Sequence, residues 1–205
     1  MTILMTAFEP FGNDNMNSSL EVLKRIVPPD GIDLIRLQVP TVFTLAGETV
    51  MQCVEKERPA YVICLGQAAG RSAVTPERVA INLRDASIPD NQGHQPTDES
   101  IILDGPAAIF STLPIKEMVS AAKAAGMKAA VSNTAGTFVC NDLMYTLLYS
   151  LGKDYPAIKG GFIHIPACCS EDGAPERSDM TLDSAVLTIE SMLRAIQKSD
   201  TGIQE

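Results

Sequence analysis

Residues 129–151 read AAVSNTAGTFVCNDLMYTLLYSL. The stretch opens on a short apolar run, 129–132, that suits a buried strand. It then crosses a turn of small and hydroxyl residues. From 138 to 151 it follows a helical pattern, with Val139, Leu143, Leu147 and Leu151 four apart on one face. Strand, glycine-containing turn, helix is the building unit of an α/β sheet. The same stretch sets a cysteine, Cys140, at the mouth of the helix. There, unpaired backbone N–H groups and the positive end of the helix dipole favour S⁻ over SH. A buried structural thiol is the competing reading.

The alternation continues in both directions. Strands are expected at 2–7, 32–39, 60–65, 79–83 and 161–165, and helices at 18–26, 45–56, 115–125 and 182–197. Ser18-Ser19-Leu20-Glu21 fits a capping box for the first helix, and Gly126 stops the third. Residues 85–113 are rich in turn formers and read as a loop or hairpin excursion. Apolar strands alternating with helices mean a sheet covered on both faces, so the fold class is α/β. No repeat, low-complexity tract or linker divides the chain, and residues 1–205 are expected to form one domain. In open α/β sheets, sites form at the carboxyl ends of the strands. The loops 8–17, 66–76, 134–137 and 166–170 all follow expected strands, and mostly parallel strands would bring them to one edge.

Composition narrows the partners. The net charge of −9 argues against binding a phosphate backbone or an anionic membrane surface. The first six residues have no basic lead, and no stretch approaches the roughly 18 apolar residues of a membrane span. The expected location is the cytoplasm. Five cysteines, Cys53, Cys64, Cys140, Cys168 and Cys169, show no disulfide framework and no C-x-x-C, so free thiols are expected and a metal site is not. The adjacent pair Cys168 and Cys169 reads as two ordinary thiols.

A thiol nucleophile needs a base within hydrogen-bond reach, and histidine is the usual one. The chain has two. His94 lies in a polar stretch. His164 ends a buried strand and arrives at the same sheet edge as the loop before Cys140; a core histidine with a satisfied ring is its other reading. Cys53 and Cys64 fall mid-helix and mid-strand and read as core residues. Spacing alone does not select a carboxylate to orient the imidazole. Asp85, Asp90, Asp98, Glu99 and Asp104 read mostly as a solvated acidic face. There is no dinucleotide fingerprint, Walker motif, H-E-x-x-H or G-x-S-x-G. Two loop aromatics, Phe8 and Phe11, could wall a small apolar pocket or pack down on their own sheet.

Five blocks carry a resemblance: MTAFEPFG at 5–12, QVPTV at 38–42, LGQAAGR at 65–71 with TPERVAIN at 75–82, NTAGTFVCN at 133–141, and GFIHIP at 161–166. In order and spacing they resemble the pyroglutamyl peptidase I family. The resemblance implies a three-layer α/β/α sandwich with a mostly parallel, mixed central sheet. It also implies a cytosolic cysteine peptidase, without cofactor, that removes N-terminal pyroglutamate from peptides and often assembles as a homotetramer. Carried over by position, Cys140 would be the nucleophile, His164 the base and Glu77 the acid that orients it. Phe8 and Phe11 would sandwich the lactam ring, with Asn17, Thr41, Gln67, Ile88, Phe138 and Val139 nearby.

The chain also departs from the family pattern. Ser87 stands where the family usually has arginine, and Gln92 where it has glutamate; Arg84 is a candidate substitute for the missing cation. Ala69 replaces a usual glycine, and Ser18 and the 167–169 segment differ as well. Two other readings stay open: a nucleoside phosphorylase-like enzyme, which would need Arg71, Arg78 and Arg84 for phosphate, and a non-catalytic binder of blocked peptide N-termini.

Overall fold

In the computed structural model, described for residues 1–12, 14–168 and 179–202, a five-stranded sheet runs in the order β2-β1-β3-β7-β4. Its strands are β1 (Thr2–Phe8), β2 (Asp33–Val39), β3 (Tyr61–Ala68), β4 (Thr75–Pro76) and β7 (Lys159–Pro166). The first three and β7 are mutually parallel, and β4 is a short antiparallel edge. β5 (Val79–Ile81), within the expected 79–83 strand, and β6 (Ala108–Phe110), within the expected 85–113 excursion, form a separate antiparallel pair that closes residues 82–107 into one long loop.

Side chains alternate across the sheet as the two-residue period demands. Ile3, Met5, Ala7, Ile63, Leu65, Ile163 and Ile165 face one cluster, filled by α1 (Ser18–Arg25), α3 (Ile115–Ala124) and α5 (Leu182–Thr201). Leu4, Phe8, Val62, Cys64 and Phe162 face the other, filled by α2 (Leu45–Glu57) and α4 (Val139–Asp154). Because both faces are covered, the strands read as continuous apolar runs, and the architecture is the expected α/β/α sandwich. Among the described residues no helix is long and apolar enough to cross a membrane.

Several local expectations change. Residues 129–132 make single bridges, Ala129 to Val74 and Ser132 to Glu77, rather than a strand. The segment runs beside the outermost strand, where a two-residue β4 offers little ladder to extend. Ser18 is not the cap of α1. Asn17 is, accepting from Ser19 N at 3.0 Å, while the Ser18 hydroxyl accepts from Cys168 N at 2.8 Å. Asp90 is not on a solvated face: it is buried, and its carboxylate accepts from the backbone N–H groups of Phe43, Gln92 and His94. Against burial, which pushes its pKa up, these donors hold it below the usual carboxylate range. Cys169 and the rest of the 169–178 stretch lie outside the described residues, as does Asn13.

Candidate active site

The strand register brings the site together. Gly66 on β3 pairs with His164 on β7, and Thr75 on β4 pairs with His164 from the other side. Cross-strand partners project to the same face of a parallel sheet. Gly66 and His164 therefore look toward α4. A Cβ built on Gly66 would stand 3.1 Å from Cys140 Sγ and 2.7 Å from the Phe162 ring. The thiol thus lies over the position beside His164, on the same sheet face. Phe162, two residues before His164, packs its ring 4.8 Å from the imidazole.

Glu77 closes the arrangement. Its backbone N–H donates to Phe162 O at 2.8 Å, which fixes it beside β7 immediately beyond β4. Its side chain is fully buried, and His164 Nδ1 donates to Oε1 at 2.7 Å. Burial pushes the imidazole pKa below its ordinary value, outweighing the Glu77 hydrogen bond that raises it. The ring is neutral at neutral pH. With Nδ1–H committed to the carboxylate, Nε2 holds the free lone pair.

Cys140 is the second residue of α4. The loop leading into it turns at Gly136, where φ is +82°, a conformation that favours glycine. Thr137 is held by Asp85 through a backbone bond and a hydroxyl bond. The first intrahelical bond runs from Asp142 N to Phe138 O, so the N–H groups of residues 139–141 precede the helix ladder. The helix mouth favours S⁻, and burial of the sulfur acts against it. Cys140 is half-buried as a residue, but its sulfur is enclosed, and burial, reinforced by the Glu77 charge, pushes the thiol up to about 12. The resting pair is thiol and neutral imidazole.

The remaining named residues divide by what their side chains touch. Phe8 is buried against Phe162, with ring centroids 6.3 Å apart. Phe11 is half-buried and meets Phe138 edge-on at 5.4 Å. Asn17 is spent on the α1 cap and on Glu9 O. Thr41 donates its hydroxyl to Glu9 O at 3.1 Å, and Gln67 accepts from Ser18 N at 2.6 Å. Ile88 is exposed. The Val139 side chain is fully buried in the core, which leaves only its backbone to face the site. Two residues that sequence reasoning missed also matter. Asn91 bonds Glu9 Oε1, Pro10 O and Gly12 N, pinning the loop that carries Phe11. Arg71 bonds Glu77 and Thr134. No local pattern marks Asn91; Arg71 stood only among possible phosphate ligands.

None of the three arginines that a phosphorylase would use is free. Arg71 pairs with Glu77 at 2.6 Å, Arg78 with the Asn133 side chain at 2.7 Å, and Arg84 with buried Asp142 at 2.6 Å. Arg84, the candidate stand-in for the cation missing at Ser87, is held by Asp142 and the Thr44 hydroxyl. Two surface grooves, one between α3 and α5 and one formed by the 58–60 and 154–158 turns with Thr2, include none of Cys140, His164 or Glu77.

Residues 1–199 match the family model for pyroglutamyl peptidase. The chain belongs to the pyroglutamyl peptidase family. It is 46% identical over 202 residues to a pyrrolidone-carboxylate peptidase of Lactobacillus johnsonii, covering 98% of this chain and 94% of that one. A Streptococcus pyogenes pyrrolidone-carboxylate peptidase is 48% identical over 198 residues, covering 96% and 92%. Among solved structures, pyroglutamyl peptidase I from Bacillus amyloliquefaciens superposes with a TM-score of 0.89 at 42% identity, over 95% of this chain and 94% of the other. A mutant pyrrolidone carboxyl peptidase from Pyrococcus furiosus gives 0.88 at 31% identity, over 97% and 99%. The activity of this pyroglutamyl peptidase family member is the cysteine-type removal of N-terminal pyroglutamate, and neither alternative reading is favoured.

Proposed function

We propose that Cys140, His164 and Glu77 are the catalytic triad of this peptidase, acting as nucleophile, general base and orienting acid within one catalytic domain. The observation that carries the assignment is the buried His164–Glu77 hydrogen bond of 2.7 Å, set beside the position that Cys140 Sγ overlies. His164 Nε2 takes the thiol proton as Sγ attacks the carbonyl carbon joining pyroglutamate to the next residue. The tetrahedral intermediate collapses, the C–N bond breaks, and the same proton goes to the departing amine. Water then attacks the thioester, giving a proton to Nε2. The C–S bond breaks, free pyroglutamate leaves, and the proton returns to sulfur. The N–H groups at the start of α4 are the donors for the oxyanion, each worth about 3–4 kcal/mol in acyl transfer.

Pyroglutamate has no free amine, so its pocket needs a flat apolar slot rather than a carboxylate. Phe11 and Phe138 supply the aromatic surface, Phe8 supports it from the core beneath, and Ile88 stands at the rim. Asn17, Thr41 and Gln67 shape the slot through the backbone they hold, and Val139 contributes its backbone. The family resemblance supports a homotetramer acting in the cytoplasm on pyroglutamyl peptides, without nucleic acid or membrane partners. The test is release of a chromogenic amine from its pyroglutamyl amide. Cys140→Ser abolishes release while the protein stays folded. Full release by that variant would overturn the nucleophile assignment. Binding of the amide by wild type without release would favour a non-catalytic binder.

A further inference from the structure

Glu77 Oε1 accepts two hydrogen bonds, one from His164 Nδ1 and one from Arg71 Nη1, and only the first is part of the triad assigned above. Arg71 lies in the loop after β3, its side chain about three-quarters buried. Its guanidinium reaches further, donating from Nη2 to Thr134 O at 2.9 Å and from Nη1 to the Thr75 hydroxyl. Thr134 belongs to the loop that delivers Cys140, since its hydroxyl accepts from Gly136 N, at the turn before α4. One planar fork therefore joins the acid behind the imidazole to the backbone carrying the nucleophile.

We infer that Arg71 is a positioning residue of the reaction: its fork fixes the Glu77 carboxylate against His164 while anchoring the Cys140 loop. This rests on the triad reading above. The physical reason lies in what surrounds the ring. The ionisable groups that act on the His164 ring are Glu77 beyond β4 and Arg71 from the loop after β3; Cys140 on α4, which Cys64 on β3 also acts on, lies over the Gly66 position paired with His164. Asp142 at the start of α4 pairs with Arg84 from the segment after β5, beside Phe43, and both also bond Thr44. Burial is the largest cause that lowers the imidazole pKa, and the Glu77 hydrogen bond and charge act against it. Arg71 offsets that charge and lowers the imidazole pKa, and its field at the thiol acts in the same direction. A lysine would keep the charge but lose the two-point geometry.

The test compares Arg71→Gln and Arg71→Lys with wild type by two independent readouts. The first is the titration of His164 by imidazole NMR, unambiguous because the chain holds only two histidines and His164→Gln removes one signal. The second is the pH profile of kcat/KM on a pyroglutamyl amide. In Arg71→Gln the His164 titration is expected to move to higher pH, and the acid limb of kcat/KM to move with it. In Arg71→Lys both stay near wild type while kcat falls at least tenfold. The charge argument is overturned if Arg71→Gln, folded by circular dichroism, titrates His164 at the wild-type pH. The anchoring argument is overturned if Arg71→Lys keeps the wild-type kcat. Should wild type show no turnover at all, the triad reading fails, and the NMR titration still judges Arg71.

Discussion

The sulfur of Cys140 fills the space that a side chain on Gly66 would occupy, 3.1 Å from where its Cβ would stand. The same point is 2.7 Å from Phe162 Cζ and 2.9 Å from Cε1, closer than real carbon atoms approach. Gly66 is therefore the floor beneath the thiol. Its φ is not left-handed; close approach, not backbone freedom, demands the glycine.

Gly66→Ala should accordingly push both the Phe162 ring and the sulfur off their positions. Overpacking of this kind costs about 1–3 kcal/mol of stability. The expected signature is a kcat loss of at least tenfold in protein that still folds, read from steady-state kinetics beside a denaturation curve. Unchanged kcat would show that the sulfur does not need this seat.

His164 is depressed below its ordinary pKa of 6.5, chiefly by burial. Its base form therefore persists to lower pH than that of a free imidazole, and the acid limb of kcat/KM is expected below pH 6.5. Stability follows the same sign. Below 6.5 the unfolded chain takes up this proton before the folded chain does, so stability is lost as pH falls toward the folded pKa. His164→Gln should flatten that part of the urea-denaturation profile. An acid limb above pH 7 would contradict the neutral-base state.

The Cys140 thiol is pushed up to about 12, with burial the largest cause. Inactivation by iodoacetamide should therefore keep accelerating beyond pH 9, with loss of activity tracking modification of Cys140 by mass spectrometry. A plateau below pH 8 would reveal a preformed thiolate. Cys64, equally pushed up to about 12 and fully buried, should stay unmodified in the folded protein.

Phe8 and Phe11, one motif in sequence, should behave differently. Phe8 is 2% exposed, so Phe8→Ala removes core and should cost about 3–5 kcal/mol. Phe11 is half-buried on a loop pinned by Asn91. Phe11→Ala should leave stability nearly intact and raise KM by roughly tenfold, the scale of one lost aromatic contact. Equal effects of the two substitutions on stability would show that Phe11 is a core residue too.

The strand–helix alternation was legible in the chain because apolar runs and four-residue periodicity are local consequences of burial. The start of α4, the glycine turn before it and Cys140 at its mouth could be read the same way. The buried Asp90 could not, since three backbone N–H groups converge on its carboxylate only after the excursion folds over Phe43. Nor could Arg71, whose partners lie six and 63 residues away.

What the sequence determined by itself was the covered α/β sheet, the helix-mouth cysteine, the strand-end histidine and the likeness to a peptidase family, all carried by residue type and spacing along the chain. Tertiary structure alone decided which face His164 shares, what lies beneath the sulfur, and the protonation of both groups. Those follow from the register of β3 against β7 and from how deeply the pair is enclosed, and desolvation acts through three-dimensional surroundings that no local pattern encodes.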